Sequence, residues 1–295
     1  MQKGIIKTYR IEKINFYIII FLLISFPKIQ AQVPDSLDKN RLIILSSISA
    51  AAFIGSQIIQ KDIYWSKTSK FHFMDLKTEY DDALLADKAG HFFASYTIAK
   101  IYTKLLEWTG LEKEKRIWIG SGVSLFHQTY VEINDGFSDN EVFLGFSNFD
   151  MLANISGASI PILQYYYPSL NAFTFKISYN KSDNFDKIGY DYLINDYEST
   201  YHWLTIDMFE LLNMDTKYLD IVGLSIGHSV KNIDRYGAGN HEIYIGLDIN
   251  WNHFYKYDFI KNNYYLQLIL EFLNKYKVPL PALRITPKVR FYGFR

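Results

Sequence analysis

The spacing of apolar residues changes character at Pro168, and this constrains the fold more than any other feature of the chain. Before it, apolar positions recur every three or four residues, as on a helix with one buried face. Phe92, Tyr96, Ala99, Tyr102 and Leu106 are the clearest run. After it, apolar and polar residues alternate, as in strands. Residues 172–179 (AFTFKISY) and 201–206 (YHWLTI) show this. Helices first and strands later give a segregated α+β fold. The expectation is an N-terminal bundle of about four helices over residues 40–168. A smaller antiparallel β-rich domain follows over 171–295, with the boundary near 168–171.

The first expected helix, 41–60 (RLIILSSISAAAFIGSQIIQ), is the most apolar stretch of the chain. It sits at the length threshold of a membrane helix, and its Ser, Ala and Gly would equally suit a buried bundle helix. Residues 61–80 read as a connector. The next helix is expected over 87–108, stopped by Gly110. Another over 113–132 ends at the turn-forming Asn134-Asp135-Gly136. The last, over 150–167, carries Pro161 as a kink and is stopped by Pro168. Two β-rich runs, 219–230 and 242–251, flank a turn-prone stretch at 234–240 and read as a hairpin with a long loop. A helix over 264–276 and a final strand over 285–292 complete the pattern.

The N-terminus reads as an address. Basic residues up to Lys13 precede the apolar run 14–26, and Ile29-Gln30-Ala31 follows the helix breaker Pro27. This is the order of a secretory signal over residues 1–31, and the run is short for a membrane span. An uncleaved anchor in the inner membrane is the alternative. The 295 residues include no cysteine, which excludes disulfides, thiolate metal sites, cysteine nucleophiles and a lipid-modified cysteine. Lys+Arg and Asp+Glu balance at 31 each, so there is no basic footprint for nucleic acid. The 24 Tyr and 22 Phe suit surfaces where an apolar body meets water, membrane interfaces among them, and equally fit the composition bias of an AT-rich genome, which also enriches Ile, Asn and Lys.

Polar residues concentrate between Asp87 and Gly157. Asp87 and His91 are four apart on one helix face, with Lys88 between them. Gln128 and Glu132 share a face near the end of the next helix, and Asp135 follows. Asp150 and Asn154 open the last one. If successive helices are antiparallel, Asp87, His91, Glu132 and Asp150 meet at one end of the bundle. Three readings follow. The first is a structural network, in which Asp87 and Asp150 serve as first-turn acids, Lys88 pairs with Glu132 and Asn154 bonds nearby backbone. The second is a divalent metal held by Asp87, His91 and Glu132, with Asp150 behind, a donor set suited to zinc, manganese or iron. The third is an anion or lipid-headgroup site using Lys88 and the helix N-termini. The single Asp-x-x-x-His spacing lacks the second histidine of a zinc helix, and Lys88 would repel a metal. Gly120-Ser121-Gly122 is too short for a phosphate loop, and Gly157-Ala158-Ser159 reads as packing. His72, His202, His228, His241 and His253 are scattered, the last two without evident partners. Asp183, Asp186 and Asp191 read as solvated.

The series Asp87-Lys88-Ala89-Gly90-His91-Phe92, Glu132, Asp135-Gly136, Gly145-Phe146-Ser147, Asp150, Asn154 and Gly157 resembles the YfiM-like family of predicted periplasmic lipoproteins. It is more weakly similar to VanZ-like membrane proteins. The resemblance covers roughly 80–168, and residues 195–204 are similar to the later part of longer members. It implies an envelope location, periplasmic or at the outer membrane, and no established activity. The expected role is a membrane-associated scaffold or binding protein whose partners are membrane or envelope proteins. A metal-dependent hydrolase centred on the polar cluster is the alternative.

Overall fold

The computed structural model describes residues 33–139, 144–182, 196–214, 216, 218–233 and 238–295. The signal, Asp183, Asp186, Asp191, Asn195 and most of the long hairpin loop lie outside these residues. Five helices come first: α1 (Lys39–Ile63), the short α2 (Leu76–Asp81), α3 (Ala86–Glu107), α4 (Lys113–Gly136) and α5 (Asn148–Tyr166). The strands follow: β1 (Phe173–Tyr179), β2 (Thr200–Ile206), β3 (Val222–Lys231), β4 (Asn240–Ile249), β5 (Ala282–Thr286) and β6 (Arg290–Tyr292). Helix α6 (Tyr264–Leu273) lies between β4 and β5. The fold is α+β. The expected final strand over 285–292 is instead the hairpin β5–β6, because the Thr286-Pro287 turn interrupts it.

Helix α3 is the centre of the helical part and packs against both α4 and α5. Small residues make this possible. A Cβ at Gly157 would lie 2.2 Å from the Phe92 carbonyl oxygen, and one at Gly120 would lie 2.8 Å from that of Ala99. Backbones therefore approach closely, and the rotation of α3 is fixed by its neighbours. Pro161 does not interrupt α5, which is continuous to Tyr166. Helix α1 stands apart. Only 6% of its apolar stretch is buried, and it is long and apolar enough to cross a membrane. It touches α4 through Phe53, whose ring lies 5.3 Å from Tyr130 and 5.6 Å from Phe126.

All six strands form one antiparallel meander in the order β1 to β6. Phe175 of β1 packs against Phe92 and Tyr96 of α3, so the helical and β parts share an apolar seam. The alternation along β3 and β4 is inverted relative to a soluble sheet. Gly223, Ser225, Gly227 and Ser229 are buried, as are Glu242, Tyr244 and Asp248. Val222, Leu224, Ile226, Ile245 and Leu247 are exposed. On the buried side Lys176 meets Asp248 at 2.8 Å with both side chains fully enclosed. Thr205 donates to the same carboxylate, and Glu242 binds Arg284. The Lys277 ammonium lies 4.5 Å over the Trp203 ring, and the Arg295 guanidinium lies 4.5 Å over Tyr201. The segment 275–281 ties the sheet's ends together. Ile177 of β1 donates to the Lys275 carbonyl at 2.9 Å and accepts from Lys277 at 2.8 Å. Leu280 bonds with Arg295 beyond β6, and Leu247 of β4 donates to the Pro281 carbonyl at 3.0 Å. Between them, the Val278 N–H reaches Asp248 at 3.2 Å, so this segment crosses the buried face.

Candidate functional site

Three helix ends supply the polar residues. Asp87 lies in the first turn of α3, Glu132 near the end of α4, and Asp150 in the first turn of α5. Negative charge is favoured at both of those N-termini by the unpaired N–H groups and the helix dipole. Ser147 caps α5 by accepting from the Asp150 N–H at 3.0 Å. The entry to α3 is unusual. Ala83, Leu84 and Leu85 are all left-handed, with φ of 45°, 51° and 64°. Each such residue costs about 1–2 kcal/mol for a non-glycine side chain. The packing of Ala83 and Ala86 against Val230 of β3 holds the turn in place.

The four ionisable groups expected to converge do converge. The Lys88 ammonium lies 3.0 Å from Asp87 Oδ2 and 3.0 Å from Asp150 Oδ2. His91 Nε2 is 3.7 Å from Asp87 Oδ1, and His91 Nδ1 is 3.2 Å from Glu132 Oε1, close but not aligned as a hydrogen bond. Asn154 receives a bond from Gln128 at 3.0 Å and donates to Glu132 Oε1 at 3.4 Å. The second Glu132 oxygen accepts from the Ser147 N–H. Asp135 is held to one side by the Trp65 indole N–H at 2.6 Å. Lys88 therefore pairs with Asp87 and Asp150 rather than with the expected Glu132, which faces His91. Asn154 bonds side chains rather than backbone. His241 and His253 do have partners: His228 Nε2 lies 3.0 Å from His241 Nδ1, and His253 Nδ1 lies 2.8 Å from Asp220.

Two contributors were not visible in the spacing. Tyr197, just before β2, donates its hydroxyl to Asp87 Oδ1 at 2.8 Å. Glu79 of α2 is fully buried and accepts from the Asn148 N–H at 2.7 Å. Tyr197 falls in the stretch whose resemblance to longer family members was the only available signal. Nothing in the sequence marks Glu79.

Burial and charge set the protonation. Burial alone would raise the Asp87 carboxyl, but His91 and Lys88 outweigh it and hold it down at about 2. Burial would likewise lower Lys88, but Asp87 and Asp150 raise it. Burial pushes the His91 ring down, while Asp87, Asp150 and Glu132 pull it up to about 9. Glu132 rises to about 8, chiefly by burial and against the attraction of His91. Burial raises Asp135 to about 6, and burial with the nearby Asp87 raises Asp82 to about 6. Asp150 is raised by burial and by Asp87. At neutral pH two cations, Lys88 and His91, face the Asp87 and Asp150 carboxyls, and Glu132 stays largely protonated.

The geometry bears on metal binding in two ways. One donor atom from each of Asp87, His91 and Asp150 lies within 4.8 Å of the others, close enough to share an ion. The expected trio Asp87, His91 and Glu132 is not so arranged. Asp87 and Glu132 sit at opposite nitrogens of the His91 ring, whose lone pairs diverge, so one ion cannot take all three. Lys88 also occupies the space between Asp87 and Asp150. The same two contacts commit Lys88 to carboxylates, which removes it as a cation for an anion site.

Residues 77–166 match the family described as predicted periplasmic lipoproteins (DUF2279). The match covers α2 to α5, and with them the whole cluster except Tyr197. It supports an envelope location and carries no activity. The 295 residues contain no cysteine to bear the lipid that the family description implies. No curated protein and no solved structure matches the chain.

Proposed function

We propose that this is a non-enzymatic, membrane-associated envelope protein, a scaffold or binding protein whose partners are membrane or envelope components. The observation that carries this reading is α1, an apolar helix of membrane-spanning length of which 6% is buried. A helix that is apolar all round and unburied needs an apolar surrounding. The cluster supports the non-enzymatic half, because Asp87 and Asp150 are both paired internally with Lys88. An ion-pair network of this kind fixes how α3, α4 and α5 meet. The signal-like N-terminus fits delivery to the periplasm or outer membrane.

A metal-dependent hydrolase is the second reading, favoured by the proximity of Asp87, His91 and Asp150. Metal analysis of the purified protein, wild type and His91→Ala, separates the two. The expected result is no stoichiometric metal, an unchanged melt after chelation, and a less stable His91→Ala variant. One equivalent of zinc or manganese, lost in a His91→Ala variant that stays folded, would overturn the proposal in favour of the enzyme. For membrane association, the protein should stay with the membrane pellet through carbonate washing. Release into the supernatant would reject it.

A further inference from the structure

We infer that the outward face of strands β3 to β5, beyond the part of the sheet that α3 covers through Phe175 and Val230, lies in the acyl chains of a lipid bilayer, with the charged face enclosed behind it. The inference extends the membrane reading from α1 to a separate surface. Val222, Leu224, Ile226, Ile245, Leu247 and Leu283 share this outward face, each 37–46% exposed. The opposite face holds the Lys176–Asp248 and Glu242–Arg284 pairs and the Arg295 guanidinium, which lies over the Tyr201 ring. In water, enclosing charge while exposing aliphatic side chains is doubly unfavourable. In lipid both signs reverse, and an apolar outside with a polar inside is the pattern of membrane β-structure.

Three further observations favour lipid over a protein partner. Strands β3 and β4 are ten residues each, and a membrane strand needs about 9–11. Both ends of the face carry groups that suit the headgroup layer. At one end the exposed Lys288 offers positive charge to lipid phosphates. At the other lie Tyr218, Trp251 and Phe259, the aromatic types enriched at membrane interfaces. Finally, exposed apolar residues are not confined to this face. Ile54 and Ile58 of α1 and Ile269 and Phe272 of α6 are also exposed. A folded partner covers one patch, whereas lipid covers several elements at once.

Because the chain has no cysteine, single-cysteine variants can carry a fluorophore without background. Ile226→Cys and Leu247→Cys probe the sheet, Ile58→Cys probes α1, and Lys115→Cys is the aqueous control. The labelled full-length protein is reconstituted into phosphatidylethanolamine and phosphatidylglycerol vesicles containing acyl-chain nitroxide lipid, and each variant's melt confirms folding. The expected result is loss of more than half the fluorescence at 226 and 247 to the lipid quencher, with Lys115→Cys quenched only by aqueous iodide. Iodide quenching at 226 and 247 would overturn the inference, and so would protection from both quenchers, which means a second copy or another protein covers the face. The Ile58→Cys signal decides the membrane reading separately. Lipid quenching there with iodide quenching on the sheet leaves that reading standing and removes this one. Lipid quenching on the sheet alone supports this inference and counts against α1.

Discussion

Replacing Lys88 with methionine keeps the length and most of the apolar stem while deleting the ammonium that lies 3.0 Å from both Asp87 and Asp150. Asp87 would keep the Tyr197 hydroxyl and His91. Asp150 is worse placed: it is 4% exposed, and its second oxygen has no hydrogen-bond partner. Removing one member of a buried ion pair costs about 3–5 kcal/mol, because the remaining charge stays buried. Asp150 can relieve part of this by taking up a proton, toward which burial already pushes it, so the lower end of that range applies. For a chain of this size ~3 kcal/mol corresponds to a melting shift of roughly 5 °C. The measurement is thermal unfolding by circular dichroism in detergent, on Lys88→Met, Asp150→Asn and the double variant. The double variant should be more stable than the sum of the singles predicts, by about 1–3 kcal/mol of coupling. Additive losses, or a Lys88→Met melt within a degree of wild type, would refute the ion-pair reasoning. A Lys88→Met variant that is stabilised by zinc would show instead that the lysine stands in a metal's place.

Stability should also fall as pH rises. His91 is raised from 6.5 to about 9, so its contribution is whole below 6.5 and is lost as pH climbs through 9. Glu132 is raised from 4.5 to about 8, so it acts with the same sign between those values. Denaturant midpoints that stay flat from about pH 6.5 to 8, the window the two groups share, would contradict both shifts. Gly157→Ala should lose about 1–3 kcal/mol by overpacking, since its new Cβ would sit 2.2 Å from the Phe92 carbonyl oxygen. Gly122→Ala, where a Cβ meets nothing within 4 Å, should be neutral or slightly stabilising.

The convergence of the cluster was legible because it depends only on helical period and antiparallel order. Asp87 and His91 share a face by spacing, and so do Gln128 and Glu132. Which cation meets which acid was not legible. Lys88 and His91 are three apart on α3, so a modest rotation of that helix exchanges their partners. The rotation is set by Gly157 and Gly120 against the α3 backbone, a contact that spacing along α3 cannot reveal. Tyr197 was hidden for a different reason: it lies 110 residues from Asp87 and reaches it only because the turn before α3 packs on β3.

The sheet teaches a sharper lesson about alternation. A period of two says that a strand has two chemically different faces, and it leaves open which of them is enclosed. In β3 the sequence VGLSIGHSVK places Val222, Leu224 and Ile226 on one side and Gly223, Ser225, Gly227 and Ser229 on the other. Hydrophobicity alone would turn the first set inward. What decides the matter is the second set's company. Lys176, Glu242 and Asp248 fall on the same side as the glycines and serines, and each finds an opposite charge there. Small residues on β3 leave room for the large polar and aromatic side chains of β1, β2 and β4, including Trp203 and Tyr244. Complementary charges spread across strands therefore identify the enclosed face, and they can be sought in a sequence by asking whether acids and bases on neighbouring strands share a parity. Where they do, and the other parity is aliphatic, the aliphatic parity is the one that faces outward.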